Sequence, residues 1–381
     1  MGFVRELRKY RDFKHALELL DWMEKNGMTI STTNHAVRLD LISKVKGIEA
    51  AEDYFFNLPK STKNQKTFSA LLSSYCQEKM ADKALALYEE MKELNFATST
   101  LVSTNLMTLY MKLGQPEKVI SHFQEMKQDG LFLDRVAYGL LINSYASLND
   151  VDSVERVVQE MKEGGKVSPD WTIYCSLATF YNSLALFDKS NSVLQKAEET
   201  MNRHNRAPYE YIISLYASAG NLSEVKRMWK LLKDGFTKAN NMSYLCVLHA
   251  LKKLGDVDGL KNCFQEWEST YVSFDVRLVN VVVDAYLKND MVEDAELLWK
   301  KSVKALEKGD GNDLKMLEMF LDYYLKRHEM DFALKYLNIM KSKGLKPGEE
   351  KLNELLKYIV EVKDVDGAEA FSMILEEFNC S

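Results

Sequence analysis

The sequence predicts an all-α fold, a right-handed α-solenoid superhelix of tandem helix-turn-helix repeats of about 35 residues. Three observations predict it. One column of residues returns at Ala16, Ala51, Ala84, Val119, Val154, Ser190, Val225, Leu260, Ala295, Ala333 and Ala368, with spacings of 35, 33, 35, 35, 36, 35, 35, 35, 38 and 35. Further columns keep phase with it. Four residues later most units carry a large apolar side chain, as at Leu20, Phe55, Tyr88, Phe123, Trp229 and Trp299. Seven later comes Met (Met23, Met91, Met126, Met161, Met340), and nine before stands Tyr (Tyr75, Tyr110, Tyr145, Tyr181, Tyr216, Tyr286, Tyr324). Finally, only 5 Pro and 17 Gly occur in 381 residues, which suits long helical content.

One unit shows why each copy folds as a hairpin. In the stretch from Thr100 to Asp134, Leu106, Met107 and Tyr110 mark one apolar face of a first helix. Gly114 breaks that helix, because a left-handed residue costs Gly almost nothing. Val119, Phe123 and Met126 then recur at i, i+4 and i+7, one face of a second helix, and Gly130 ends it.

Taken in order, residues 1–31 hold the second helix of a partial repeat, preceded by the basic segment GFVRELRKYRDF. Residues 32–64 form a short unit that Pro59 and the polar cluster after it terminate. Residues 65–310 hold seven contiguous repeats. Residues 311–313 are an insertion within the Gly/Asp-rich EKGDGNDLK, and 314–381 hold two C-terminal repeats and a polar cap. The whole reads as one solenoid in which each unit touches only its neighbours.

Composition excludes several classes. No run of 18 apolar residues predicts a membrane span. Five scattered cysteines without a CxxC read as reduced thiols. The six histidines lack partners at metal-ligand spacing. No GxxxxGK[ST], GxGxxG or GxSxG occurs, so the backbone hardware for phosphate cradling or a nucleophile elbow is missing. The reading is of no enzyme, no cofactor, no metal and no small-molecule substrate. By phase, the Met column and Trp22, Trp229, Trp267 and Trp299 lie on buried faces. Trp171 opens a unit, at a helix start or as a platform for a base. A net charge of −6 weighs against nucleic acid, whose partners usually carry a basic stripe.

Tyr at the end of the first helix, Gly, Asn or Asp at the turn, Ala or Val in the second helix, then hydrophobic-x-x-Met-x-x-x-Gly, together resemble the pentatricopeptide repeat. KTFSALLSSYCQEKMADKALALYEEMKELNF and RVAYGLLINSYASLNDVDSVERVVQEMKEGGKVSPD are especially similar to it. NLMTLYMKLGQPEKV, SPDWTIYCSLATFY and VRLVNVVVDAYL resemble a subgroup of plant organellar members, of the plain P-type without an appended catalytic domain.

The resemblance implies that first helices line a groove for single-stranded RNA, read one base per repeat. It implies that the fifth and last residues of a unit read the base, the second wedges between bases, and a Lys two residues after the Tyr contacts phosphate. Carried over, the base readers are Thr104 with Asp134, Ser69 with Ser99, Asn280 and Asn353. The wedges are Leu101, Val136 and Met242, and the phosphate contacts are Lys112, Lys253, Lys288 and Lys326. Thr104 and Asp134 resemble a guanine-reading pair. Leu245, Glu210, Glu318, Gly139 and Cys175 at other fifth positions depart from the family pattern, so few units carry a legible code. At the second position the apolar residues either wedge bases or pack repeat on repeat. At the lysine column, a solvated helix end is the plainer alternative.

Three functions follow from the resemblance. The first is an organellar RNA-binding protein acting in RNA processing, stability or translation. The second is a structural constituent of the plant mitochondrial ribosome that grips rRNA and ribosomal proteins. The third is a protein-binding scaffold. The expected location is the mitochondrion, with the plastid as alternative and no targeting segment visible in this chain.

Overall fold

The computed structural model describes residues 1–28, 32–164, 166–306, 314–348, 352–353 and 356–357. Ala368, Asp310, the expected insertion at 311–313 and most of the last expected unit lie outside them. The described helices are paired in sequence, a first helix and a second. The pairs are α1 (Gly2–Lys9) with α2 (Phe13–Lys25), α3 (Thr32–Lys46) with α4 (Ile48–Phe56), α5 (Gln65–Gln77) with α6 (Ala81–Glu93), and α7 (Thr100–Lys112) with α8 (Pro116–Gln128). They continue as α9 (Arg135–Ser147) with α10 (Val151–Glu163), α11 (Trp171–Ser183) with α12 (Phe187–Thr200), and α13 (Arg206–Ser218) with α14 (Leu222–Gly235). The last are α15 (Asn241–Lys253) with α16 (Val257–Thr270), α17 (Val276–Lys288) with α18 (Val292–Leu306), and α19 (Leu314–Lys326) with α20 (Met330–Ser342). This is an all-α solenoid, and no strand occurs among the described residues.

The repeat columns are explained by packing and by turn closure. Every described member of the small-residue column, Ala16 through Ala333, is completely buried, which lets the second helix cross the first closely. Five residues before the other members the backbone turns left-handed, with φ 68° at Gly114, 57° at Asn149, 55° at Ala185 and 59° at Asp290; before Ala51 it does so four residues ahead, at Gly47 with φ 91°. The next N–H then reaches back to the Tyr column, as Gln115 N donates to the Tyr110 carbonyl at 2.9 Å and Met291 N to that of Tyr286 at 2.9 Å. This is the six-to-one bond of a Schellman turn. The Met column does the same for the second helix, with Phe96 N donating to the Met91 carbonyl at 2.7 Å and Leu131 N to that of Met126 at 3.0 Å. Met91, Met126, Met161 and Met340 are buried, as are Trp229, Trp267 and Trp299. Trp22 is not: it is 54% exposed, because it lies six residues after Ala16, off the face that Leu20 and Met23 define.

The chain divides into two compact units, 1–180 and 181–381. In the first, α3 packs on α5, α5 on α7 and α7 on α9; in the second, α13 packs on α15, α15 on α17 and α17 on α19. Second helices reach across to the next first helix, as α8 does to α9 and α14 to α15. Within each unit successive second helices approach less closely and meet through side-chain ion pairs, such as Lys127–Glu160 at 2.8 Å and Lys233–Glu266 at 2.9 Å. A row that is closely spaced in one layer and splayed in the other bends toward the close layer. Within each unit, the first helices therefore form the inner face.

Candidate nucleic-acid interface

Charge is sorted between the layers. In the first unit, α1, α3, α5, α7 and α9 carry nine Lys and Arg against two Asp and Glu, a net +7. Their partners α2, α4, α6, α8 and α10 carry eight against sixteen, a net −8. In the second unit, α13, α15, α17 and α19 carry seven against four, a net +3. There α12, α14, α16, α18 and α20 balance at twelve each. The net −6 of the whole chain thus conceals a cationic inner layer, and the objection that charge raises against a polyanionic ligand does not hold.

The second positions stand on this layer. Leu101 is 61% exposed, Val136 58% and Met242 50%, and Lys66, Thr172, Ala207, Arg277 and Lys315 are exposed as well. Residues that packed repeat on repeat would be buried, so the packing alternative fails for this column. Three large apolar side chains left in water at equivalent places of separate repeats are available to a ligand.

The last positions have a duty the sequence reading did not assign. Each is the N-cap of the following first helix: Ser99 accepts from Val102 N, Asp134 from Ala137 N at 2.9 Å, Asn240 from Ser243 N and Asp275 from Arg277 N. The signal was available, since Ser, Asp or Asn before an apolar-periodic stretch marks a helix start. The carboxylates nevertheless differ. Asp170 also accepts from Thr172 Oγ1 and from Arg135 Nη1, and these bonds help hold its carboxyl below the ordinary range against the opposing effect of burial. Asp275 is held by Nε and Nη2 of Arg277, and that contact lowers its carboxyl too. Asp134 makes only its capping bond among the described residues, so one carboxylate oxygen stays free for a ligand.

At the fifth positions Ser69, Thr104, Cys175 and Asn280 are buried, Gly139, Glu210, Leu245 and Glu318 are half-buried, and several are partly spent. The Thr104 hydroxyl donates to the carbonyls of Thr100 at 3.0 Å and Leu101 at 3.2 Å, and that of Ser69 to Gln65 at 2.6 Å. With their protons committed to the backbone, both oxygens can offer a ligand only lone pairs. Glu210 accepts from Ser243 Oγ at 2.6 Å. Asn280 is 8% exposed, and its Oδ1 is buried without a hydrogen-bond donor. Asn353 is exposed.

Two recesses of the first unit take in candidate readers, one between first helices and one where the start of α9 meets the end of α10. Ser69, Ser99 and Leu101 share one of about 440 Å³ with Lys66, Arg8 and Asn105, whose Nδ2 has no acceptor. Asp134 and Val136 share another of about 450 Å³ with Lys162 and Lys166; Thr104 is not among its lining residues.

The lysine column is mostly engaged. Lys112 Nζ donates to the carbonyls of Cys76 at 3.2 Å and Gln77 at 3.3 Å, capping the end of the preceding first helix. Lys253 Nζ donates to Ser218 Oγ at 2.9 Å, and Lys288 pairs with Asp284 at 3.0 Å. Lys326 is exposed. Among the described residues there is no group of three or more metal-ligating side chains, and no helix long and apolar enough to cross a membrane.

Fold and surface define a helical-repeat protein with a cationic inner layer, and comparison with known proteins identifies the family. A family model described as PPR repeat matches residues 66–96, 102–131 and 278–305, and one described as pentatricopeptide repeat domain matches 121–182. An Arabidopsis thaliana pentatricopeptide repeat-containing protein named as mitochondrial is 40% identical over 98% of this chain and 71% of its own length. A second is 40% identical over 99% and 75%. The Arabidopsis large ribosomal subunit protein mL101 (rPPR4) is 42% identical over 98% of this chain and 77% of its own. The crystal structure of the maize pentatricopeptide repeat protein PPR10 superposes with a TM-score of 0.70 at 17% identity, over 99% of this chain and 58% of that one. This chain belongs to the pentatricopeptide repeat family.

Proposed function

We propose that this protein binds single-stranded RNA along the inner, first-helix face and acts without catalysis, by covering or presenting that RNA in mitochondria. The observation that carries the reading is the exposure of Leu101, Val136 and Met242 on a layer of net positive charge. Exposed apolar side chains offer burial against base faces, and the surrounding cations offer sequence-blind attraction to phosphates. The relatives named as mitochondrial support the location.

Thr104 and Asp134 are the base readers we favour. Both present acceptors, and guanine offers N1–H and the N2 amino group on one edge, so a register holding G is preferred there. Ser69 with Ser99, Asn280 and Asn353 are secondary readers, and Lys326 a phosphate contact. Binding of fluorescent single strands that differ at one position tests this: a G-dependent gain that Thr104→Ala removes supports it, and no binding at low salt refutes it.

The mL101 relative favours a second reading, a ribosomal constituent that holds rRNA and ribosomal proteins. Sedimentation from organelle extract with and without RNase separates the two. Comigration with ribosomal subunits supports the second; RNase-sensitive migration apart from them supports the first.

A further inference from the structure

The inner face is not chemically uniform, and the difference concentrates in one recess of about 350 Å³ in the second unit. It lies between α15, α17 and α19 and is lined by Leu245, His249, Lys252, Arg277, Asn280 and Lys315, among others. Beside Thr104 and Asp134 the second positions are Leu101 and Val136, and beside Ser69 stands Lys66; here two successive second positions, Arg277 and Lys315, are cations, and both are exposed. The fifth position of α15 is Leu245, which has no hydrogen-bonding group. The last position of the same repeat is Asp275, whose two oxygens are already taken by Arg277. At the register of Leu245 and Asp275 the parts that would read a base are absent or occupied; Asn280, a reader of the following repeat, keeps its Oδ1 without a partner in the same recess.

What remains is a cluster of cations. Arg277 spends Nε and Nη2 on Asp275 and keeps the donors of Nη1. Lys315 makes no hydrogen bond or ion pair among the described residues. Lys252 and Lys288 both hold Asp284, at 2.7 and 3.0 Å. Three cations, Lys252, Arg277 and Lys315, thus line the recess against one carboxylate, Asp284. His249 feels that excess: burial is the first cause of its lowered pKa, and the charges of Lys252 and Lys315 are the next.

We infer that this recess is a phosphodiester site, which grips the backbone of the bound strand through Arg277 and Lys315 and does not read the base at that register. The inference rests on the RNA-binding reading above.

The test is the salt dependence of affinity for a fluorescent single strand, measured for the full chain and for the double variant Arg277→Gln/Lys315→Ala. Both side chains are exposed, so the fold is retained. Losing two phosphate contacts lowers the slope of log K against log salt by about 1.4, or roughly a sevenfold smaller loss of affinity between 50 and 200 mM salt. The preference for G at the Thr104 register stays as it was. The control Lys230→Ala/Lys301→Ala, which removes two exposed cations from second helices, leaves the slope unchanged. If the unaltered protein binds no RNA at low salt, the RNA-binding reading itself fails. If it binds and the double variant keeps its slope, or changes base preference at its own register, this inference alone is overturned.

Discussion

Asp134 offers the sharpest test because it holds two jobs that substitution can separate. Its side chain caps α9 by accepting from Ala137 N at 2.9 Å, and its second oxygen is free. Asn caps a helix about as well as Asp, so Asp134→Asn keeps the helix start, whereas Asp134→Ala costs about 1 kcal/mol of stability. For the ligand the two changes act alike. The carboxylate accepts a charge-assisted bond from a base donor, worth about 1.5–3 kcal/mol. Its loss lowers discrimination in favour of G by roughly 10- to 150-fold at that register, since 1.4 kcal/mol is tenfold. The assay is competition between strands differing only at the G position, read beside urea unfolding of each variant. We expect Asp134→Asn to unfold like the unaltered protein and to bind the four strands nearly alike. If Asp134→Asn retains the G preference in full, the free carboxylate is not a reader, and the residue is a helix cap alone.

Further outcomes follow from the same geometry. Leu101→Ser and Val136→Ser, at exposed positions, weaken RNA binding by about 1–2 kcal/mol per apolar side chain no longer buried against a base while leaving unfolding within about 0.5 kcal/mol; thermal melts and anisotropy read the two effects separately. Ala185 holds φ 55° at the turn where Gly114, Gly220 and Gly255 stand in three other repeats, so Ala185→Gly stabilises the protein by roughly 0.5–1 kcal/mol in urea unfolding, by relieving a left-handed alanine. His122 is buried between Tyr88 and Tyr110 with Nε2 unpartnered, and burial pushes its pKa down. The unfolded chain protonates this histidine near pH 6.5 and the folded one lower, so its stabilising contribution is complete above about 6.5 and is lost as pH falls below it. His122→Phe therefore loses less stability than the unaltered protein when urea unfolding is moved from pH 7.5 to 5.5.

The sequence by itself determined the repeat, its two helices and its two turns. Those features are local: a Schellman bond spans five residues, as from Gln115 to Tyr110, and the small-residue column recurs wherever a second helix must cross its own first helix. The position of Trp22 went astray because its phase was assigned by residue type, although Leu20 and Met23 already define the buried face. Cationic inner helices were latent in the sequence too, but the chain total of −6 averages two layers that only the packing separates. Tertiary structure alone decided which candidate side chains remain available. The partners that claim them lie one repeat away, 35 residues for Arg135 on Asp170 and for Lys112 on Gln77. Periodicity puts such residues in equivalent columns; whether a given pair meets depends on how neighbouring hairpins stack, and so the free carboxylate of Asp134 and the occupied one of Asp170 look the same until the chain is folded.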